Sequence, residues 1–263
     1  AAAIDISTID DVEIPSIILD RKGREIGRMF VENRSKVSIE EVPEKLMDAL
    51  IAQEDQRFFE HNGVDQVGVA RAVWLNFKAR AVTQGASTIT MQLARNAFDL
   101  KSGARALGQT GIERKIVEAF LALRIERHLT RSLMADYPDE TERKGRMKKV
   151  VLEYYLNRIP FGHGYYGVRS AALGYFGKEP MALTVEECAS LVACVKNPTL
   201  ISPLSNPARN RKARDHVLKR MLAEEMITES EWIRLSSKPV VVNPKPLRKG
   251  KSHLYEIVDD IAL

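Results

Sequence analysis

Four segments of this chain share one local signature: Ser38 with Glu41, Thr110 with Glu113, Thr184 with Glu187, and Thr228 with Glu231 each set a hydroxyl three residues before a carboxylate. In that spacing the hydroxyl takes a free N–H of the first helical turn and the carboxylate reaches back to the residue before it. Each pair therefore marks a helix start. Spread along the chain, they predict a mainly helical fold, and aromatic residues at only 6% agree with it. The exception is near the N-terminus. Ser16-Ile17-Ile18-Leu19 and the run from Glu25 to Val31 flank Asp20-Arg21-Lys22-Gly23, which reads as a β-hairpin with a glycine turn over residues 14–32. Lys238 to Lys251, with Pro239, Pro244, Pro246 and Gly250, reads as a linker or loosely held tail, so the chain divides into a domain of 1–237 and a tail of 238–263.

At 263 residues the chain can bury one substantial core, or a core plus a small lobe. A net charge of +5 and a pI near 9.1 fit an anionic partner such as phosphate, nucleic acid or acidic lipid, and equally fit a solvated basic surface. Cys188 and Cys194, six residues apart in an apolar run, would sit about 9 Å apart along a helix axis. That is beyond disulfide reach, so packed core thiols are expected. No stretch approaches the roughly 20 apolar residues that span a bilayer, and Ala1-Ala2-Ala3 opens no signal peptide.

The chemistry concentrates in two places. The helix entering from Pro43 carries Leu46, Ala49 and Leu50 on its buried face and delivers Glu54 near its C-terminal end, where the macrodipole works against a carboxylate and strengthens it as a base. Glu54 opens the segment Glu54-Asp55-Gln56-Arg57-Phe58-Phe59-Glu60-His61-Asn62-Gly63. His61 lacks companions at metal-ligand spacing and reads as a structural or substrate-orienting imidazole; Phe58 and Phe59 read as core. The second acid, Glu153, lies in the Tyr-rich amphipathic stretch from Lys148 to Asn157. Two carboxylates from distant parts of one chain suit glycosyl transfer, one accepting a proton from the attacking hydroxyl while the other steadies charge. With 35 Asp and Glu in the chain, that pairing alone carries little weight.

The segment at Glu54 fits E-D-x-x-F-x-x-H-x-G, and three more follow in order: Gly85 to Asn96 (GASTITMQLARN), Arg114-Lys115 with Glu118 and Glu126, and Lys148 to Asn157. Gly162, Gly167, Ala171-Ala172 and Tyr175-Phe176-Gly177-Lys178 continue the series. Together they resemble the peptidoglycan glycosyltransferases, glycosyltransferase family 51, from the region of Ser38 to about Thr228. Two departures stand out: Met91 replaces the family's usual first Gln, and Arg95 stands where Lys is common, which keeps the charge and adds a bidentate grip on phosphate.

The resemblance implies a lysozyme-like helical lobe with a small membrane-facing jaw lobe at about 64–84, polymerising lipid II into glycan strands with undecaprenyl pyrophosphate as leaving group. It makes Glu54 and Glu153 catalytic and puts Asp55, His61, Ser87, Thr88, Gln92, Arg95, Asn96, Arg114, Lys115, Glu118, Lys148 and Asn157 around the substrate. Glu153 would orient the donor or hold a divalent cation, Mg2+ or Mn2+; no nucleotide is needed, and nucleic acid is not a partner. On an ideal helix Lys148 lies roughly 140° from Glu153, whereas Asn157 shares its face, so the resemblance carries Asn157 better than Lys148. The helix after Thr110 is expected to turn Ile112, Ile116, Phe120 and Leu123 inward, and Val64 to Phe77 has the mix of an interfacial segment. The family acts at the outer face of the cytoplasmic membrane with cell-wall synthesis proteins and carries an N-terminal anchor. The chain therefore reads as a piece of a longer protein, and His253-Leu254-Tyr255 weakly resembles the link into a transpeptidase domain. The alternatives are a lysozyme-like enzyme that cleaves glycan, whether hydrolase or lytic transglycosylase, and a non-catalytic basic binding module.

Overall fold

A computed structural model of the chain describes residues 4–10, 16–19, 25–29, 36–79, 87–100, 103 and 110–245. A 3-10 turn at Ser7–Asp10 precedes an antiparallel pair, β1 (Ser16–Leu19) and β2 (Glu25–Met29), with Ser16 opposite Met29. A second 3-10 turn, Ile39–Glu41, leads into α1 (Glu44–Glu54), α2 (Gln66–Ala79), α3 (Ile89–Ala97), α4 (Gly111–Ser132) and α5 (Glu140–Leu156). A short antiparallel pair, β3 (Pro160–Gly162) and β4 (Tyr165–Tyr166), is followed by α6 (Val168–Phe176), α7 (Val185–Lys196), α8 (Pro207–Ala223) and α9 (Glu229–Ser237). The architecture is mainly helical, as expected. The hairpin's turn at 20–24, the motif residues Gly85 and Ala86, jaw residues 80–84 and the tail beyond residue 245 lie outside the described residues.

All four capping boxes form, although the one at Ser38 opens only the 3-10 turn before Pro43. Pro43 itself stands at the N-cap of α1.

One continuous core has two groups of helices: α1 packs on α7 and α8, while α3 packs on α4 and α5. Leu46, Ala49, Leu50 and Ala52 of α1 are buried as their spacing requires, and each leucine contributes about 2 kcal/mol by leaving water. Cys188 and Cys194 are buried and unbonded to each other, with burial pushing both thiols up to about 12. Gly63 fastens the two groups after α1. Its φ is +85°, and a Cβ there would meet the Ala122 carbonyl of α4 at 2.9 Å, so the loop can lie against that helix only as glycine.

Three expectations change. Phe58 is fully buried, but Phe59 is about half exposed. Ile112, Ile116, Phe120 and Leu123 of α4 face outward, Ile112 with 75% of its surface exposed. The inner face is built instead from Glu118, Leu121, Ala122, Ile125, Glu126 and Leu129. The described part of the tail is held, too: the Asn243 N–H donates to the Tyr175 carbonyl and the Lys245 N–H to that of Leu173. Among the described residues, no helix is long and apolar enough to cross a membrane.

Candidate active site

The site is assembled where α1 ends and α3 begins. Asp55 follows Glu54 directly, and its carboxylate accepts the Ile89 N–H, the first of α3, at 3.0 Å. The same carboxylate lies 2.9 Å from His61 Nε2. A negative charge at a helix N-terminus, also held by an imidazole, is a strong clamp. Thr88 completes it as N-cap, its hydroxyl accepting the Met91 N–H at 3.1 Å and donating to the Gly63 carbonyl at 2.6 Å. Asp55, His61 and Thr88 thus join α3 to the loop after α1, while Asp55 and Thr88 also line the cleft on which Glu54 opens.

With its start fixed, α3 aims two side chains one turn apart. Gln92 donates from Nε2 to Glu54 Oε2 at 2.9 Å, and its carbonyl accepts the Tyr155 hydroxyl at 3.0 Å. Arg95, three residues on, places Nη1 at 3.9 Å from Glu118 Oε2, while Arg114 Nε is 3.5 Å from Glu118 Oε1. Glu118 is fully buried between the two guanidinium groups. Lys115 reaches the Ser87 hydroxyl. Partial desolvation of its ammonium end lowers the Lys115 pKa; Arg95 and Arg114 add to the fall, and Glu118 opposes it. Two guanidiniums thus flank one carboxylate with the Lys115 ammonium nearby, which leaves an excess of positive charge. Asn96 follows Arg95 on α3, partly exposed.

Glu54 opens on a cleft of about 750 Å³ that Ser87, Arg57, Arg71, Lys196, His216 and Arg220 also line. The wall from α7 and α8 has no counterpart among the residues expected from sequence. Its only sequence signal is the basic run of α8. Arg220 Nε donates to the Ala52 carbonyl at 2.6 Å, satisfying a free carbonyl near the C-terminus of α1 beside Glu54. Burial lowers the His216 pKa, and Arg220, Lys196 and Lys219 lower it further.

The structure does not bring Glu153 to this cleft. Its Oε2 accepts the Ile39 N–H at 2.9 Å, and Asn157, on the same face of α5, accepts the Val37 N–H at 2.9 Å and donates to the Val37 carbonyl at 2.8 Å. Both fasten residues 37–39 to α5. The opposite face of α5 carries Tyr155 to Gln92 and Lys148 to Glu126 Oε1 at 2.8 Å. Lys148 is fully buried, also lies 4.5 Å from the centre of the Phe58 ring, and has its pKa lowered by burial against the pull of Glu126. It supports the core beneath the site and presents no charge to a ligand. Nor does the donor set suit a divalent cation: Glu153 is committed to a backbone N–H, Glu118 sits between arginines, and no group of three or more His, Cys, Asp or Glu gathers among the described residues.

Glu54 on a cleft that Asp55 and Asp65 also line, linked through α3 to a cationic cluster, has the groups that a group-transfer site needs. Residues 22–222 match the family model described as Transglycosylase. The chain is 37% identical over 243 residues to penicillin-binding protein 1A of Aquifex aeolicus, covering 92% of this chain and 30% of that protein. With penicillin-binding protein 1A of Escherichia coli it shares 39% over 241 residues, covering 91% and 26%. The crystal structure of penicillin-binding protein 1A from Haemophilus influenzae superimposes with a TM-score of 0.51 at 22% identity, over 95% of this chain and 24% of that one. This chain belongs to the transglycosylase family, the peptidoglycan glycosyltransferases of family 51, and spans about a third or less of these curated relatives.

The placement of Glu153 yields a prediction. Glu153→Gln keeps an oxygen for the Ile39 N–H, so glycan polymerisation should stay within about threefold of wild type, the range of a substitution that breaks no structural feature. Asn157→Ala, which cuts both bonds to Val37, should cost about 2 kcal/mol in thermal unfolding. A hundredfold loss of polymerisation in Glu153→Gln would return that carboxylate to the reaction.

Proposed function

We propose that this domain polymerises lipid II into peptidoglycan strands by inverting glycosyl transfer, with Glu54 as general base. The observation that carries the reading is the junction at α3: through Gln92 that helix touches Glu54, and one turn later through Arg95 it touches the cluster of Arg114, Lys115 and Glu118. The turn between them rises about 5 Å, the scale of a reacting sugar and the phosphate beside it.

In this reading the acceptor 4-hydroxyl gives its proton to Glu54 as its oxygen bonds to the anomeric carbon of the lipid-linked growing strand. The bond from that carbon to the pyrophosphate oxygen breaks, and its electron pair leaves with undecaprenyl pyrophosphate. Arg95, Arg114 and Lys115 hold the departing dianion, the place where charge develops and where preorganised donors act most strongly. Glu118, buried between the two arginines, keeps them in place so that they need not reorganise. No step needs a nucleotide, because the lipid pyrophosphate is the activated group. A glycan-cleaving enzyme would need a strong acid and would have no use for the cationic cluster.

The exposed apolar side chains of α2 and α4, among them Trp74, Phe77, Ile112, Ile116 and Phe120, supply the surface by which the domain meets the outer leaflet of the cytoplasmic membrane. Lipid II would reach the cleft from that surface.

Glu54→Gln preserves shape but accepts no proton, so polymerisation of labelled lipid II should fall by about 100-fold to 10,000-fold while the variant still binds substrate. Near-normal strand formation would remove Glu54 from the reaction. The cationic cluster has a pH signature. Lys115 is charged below its pKa, and that pKa lies below the ordinary 10.5. Affinity for moenomycin, a phosphoglycolipid inhibitor of this family, should therefore fall as pH rises from about 7.5 toward 10. Lys115→Arg should remove the fall; equal affinity at both ends of the range would show that Lys115 does not meet the phosphate. For the apolar surface, Trp74 and Phe77 are 59% and 84% exposed. Trp74→Glu with Phe77→Glu should weaken binding to liposomes roughly tenfold or more, with a nearly unchanged melting temperature. Unchanged liposome binding would refute the membrane role.

A further inference from the structure

We propose that Tyr155 is a positioning residue for the transfer reaction, its buried hydroxyl locking the Gln92 amide in the orientation that turns an N–H, and not the carbonyl oxygen, toward Glu54. The inference rests on the reading of Glu54 as the base and adds a group that holds it in its working state.

The three side chains form one line: Tyr155 Oη donates to Gln92 Oε1 at 3.0 Å, and Gln92 Nε2 donates to Glu54 Oε2 at 2.9 Å. A primary amide is nearly the same shape when turned over, so shape does not choose its orientation. The two ends choose it. An ionised carboxylate only accepts, which favours the N–H. When the base takes a proton, its new O–H would be served by the carbonyl, and a free amide would turn over to meet it. Tyr155 opposes the turn. It is fully buried, and Gln92 is the one hydrogen-bond partner of its hydroxyl among the described residues, so a turned amide would leave a buried O–H without an acceptor. Burial first, and then the Glu54 charge, hold the phenol well above its ordinary pKa of 10, so it remains a donor at working pH. The lock thus withholds stabilisation from the protonated base and favours release of the proton before the next sugar is added.

The direction of the effect on rate follows. An N–H donated to a carboxylate favours its charged form; an amide free to turn serves the acid form as well. Loss of the lock should move the acid limb of the pH–rate profile upward. In the full-length protein acting on lipid II, Tyr155→Phe should raise that limb by about half a unit to one unit. On the limb kcat should fall roughly threefold to tenfold, with KM within about twofold, and the loss should fade at higher pH. In a Gln92→Leu background Tyr155→Phe should move the limb no further, since Tyr155 acts only through the amide.

An unmoved limb, with whatever uniform loss of rate, would overturn the proposal. So would an equal second shift in the Gln92→Leu background. Melting temperatures identify any variant that fails to fold. If Tyr155→Phe is one, Gln92→Leu alone must raise the limb, and its failure to do so overturns the lock equally. Glu54→Gln, assayed beside them, separates the two levels: an active Glu54→Gln removes the base itself, whereas an inactive Glu54→Gln with an unmoved Tyr155→Phe limb removes only the lock.

Discussion

The bond from the Ile89 N–H to the Asp55 carboxylate is the contact on which the site depends. It ties the end of α1 to the start of α3 through adjacent residues, so the position of Glu54 and the direction of α3 are set together. A backbone N–H at a helix start has no partner within its helix, and a carboxylate satisfies both the hydrogen bond and the local positive end of the dipole. His61 holds the same carboxylate from the other side, and Gly63 lets the intervening loop close on α4. Much of the segment from Glu54 to Gly63 therefore joins helices around the proposed base, Glu54.

A second buried contact supports the first from below. Lys148 of α5 and Glu126 of α4 pair at 2.8 Å with both side chains out of water, and Thr90 of α3 donates to the same Glu126 oxygen at 2.6 Å. Burying such a pair adds little to stability over apolar packing, but removing either partner strands a charge and costs several kcal/mol. Its effect is on geometry, because three helices share one carboxylate and their rotations are coupled. Arg95 and Gln92 can each reach their targets only if α3 holds its rotation.

Much of this was legible in the chain. The capping boxes located helix starts because the signal is local, and Glu54 fell at the end of α1 because Leu46, Ala49 and Leu50 fix the face of that helix. Faces were harder where polarity did not follow burial. In α4 the apolar residues Ile112, Ile116, Phe120 and Leu123 point outward while Glu118 and Glu126 point in beside Leu121, Ala122, Ile125 and Leu129, so both faces carry apolar residues and hydrophobic periodicity does not choose between them. In α5, Glu153 and Asn157 face one way and Lys148 and Tyr155 the other, and both faces mix polar with apolar groups. Only the contact from Tyr155 to Gln92, 63 residues apart, shows which face meets the site. No periodicity within one helix holds that information.

The same reasoning resolves the departures from the family pattern within α3. Met91 is buried in the wall of the domain, so the amide lost there would not have reached the cleft, and the neighbouring amide of Gln92 is the one that meets Glu54. Arg95 has more to do, since it must reach Glu118 and also leave donors for a ligand. A guanidinium carries five N–H groups in a rigid fork and can serve both, where an ammonium on a flexible stem would serve one at a time. Two guanidiniums flank the Glu118 carboxylate with the Lys115 ammonium nearby, so positive charge is in excess without substrate; the Lys115 pKa is lowered first by desolvation, and Arg95 and Arg114 add to the fall. In the proposed reaction a dianion arriving on the cluster offsets that excess, and the attraction grows as the bond to the sugar breaks and charge moves onto the phosphate. That growth of attraction along the reaction, and not tight grip on the intact donor, is what lets a fixed cluster of cations speed the transfer.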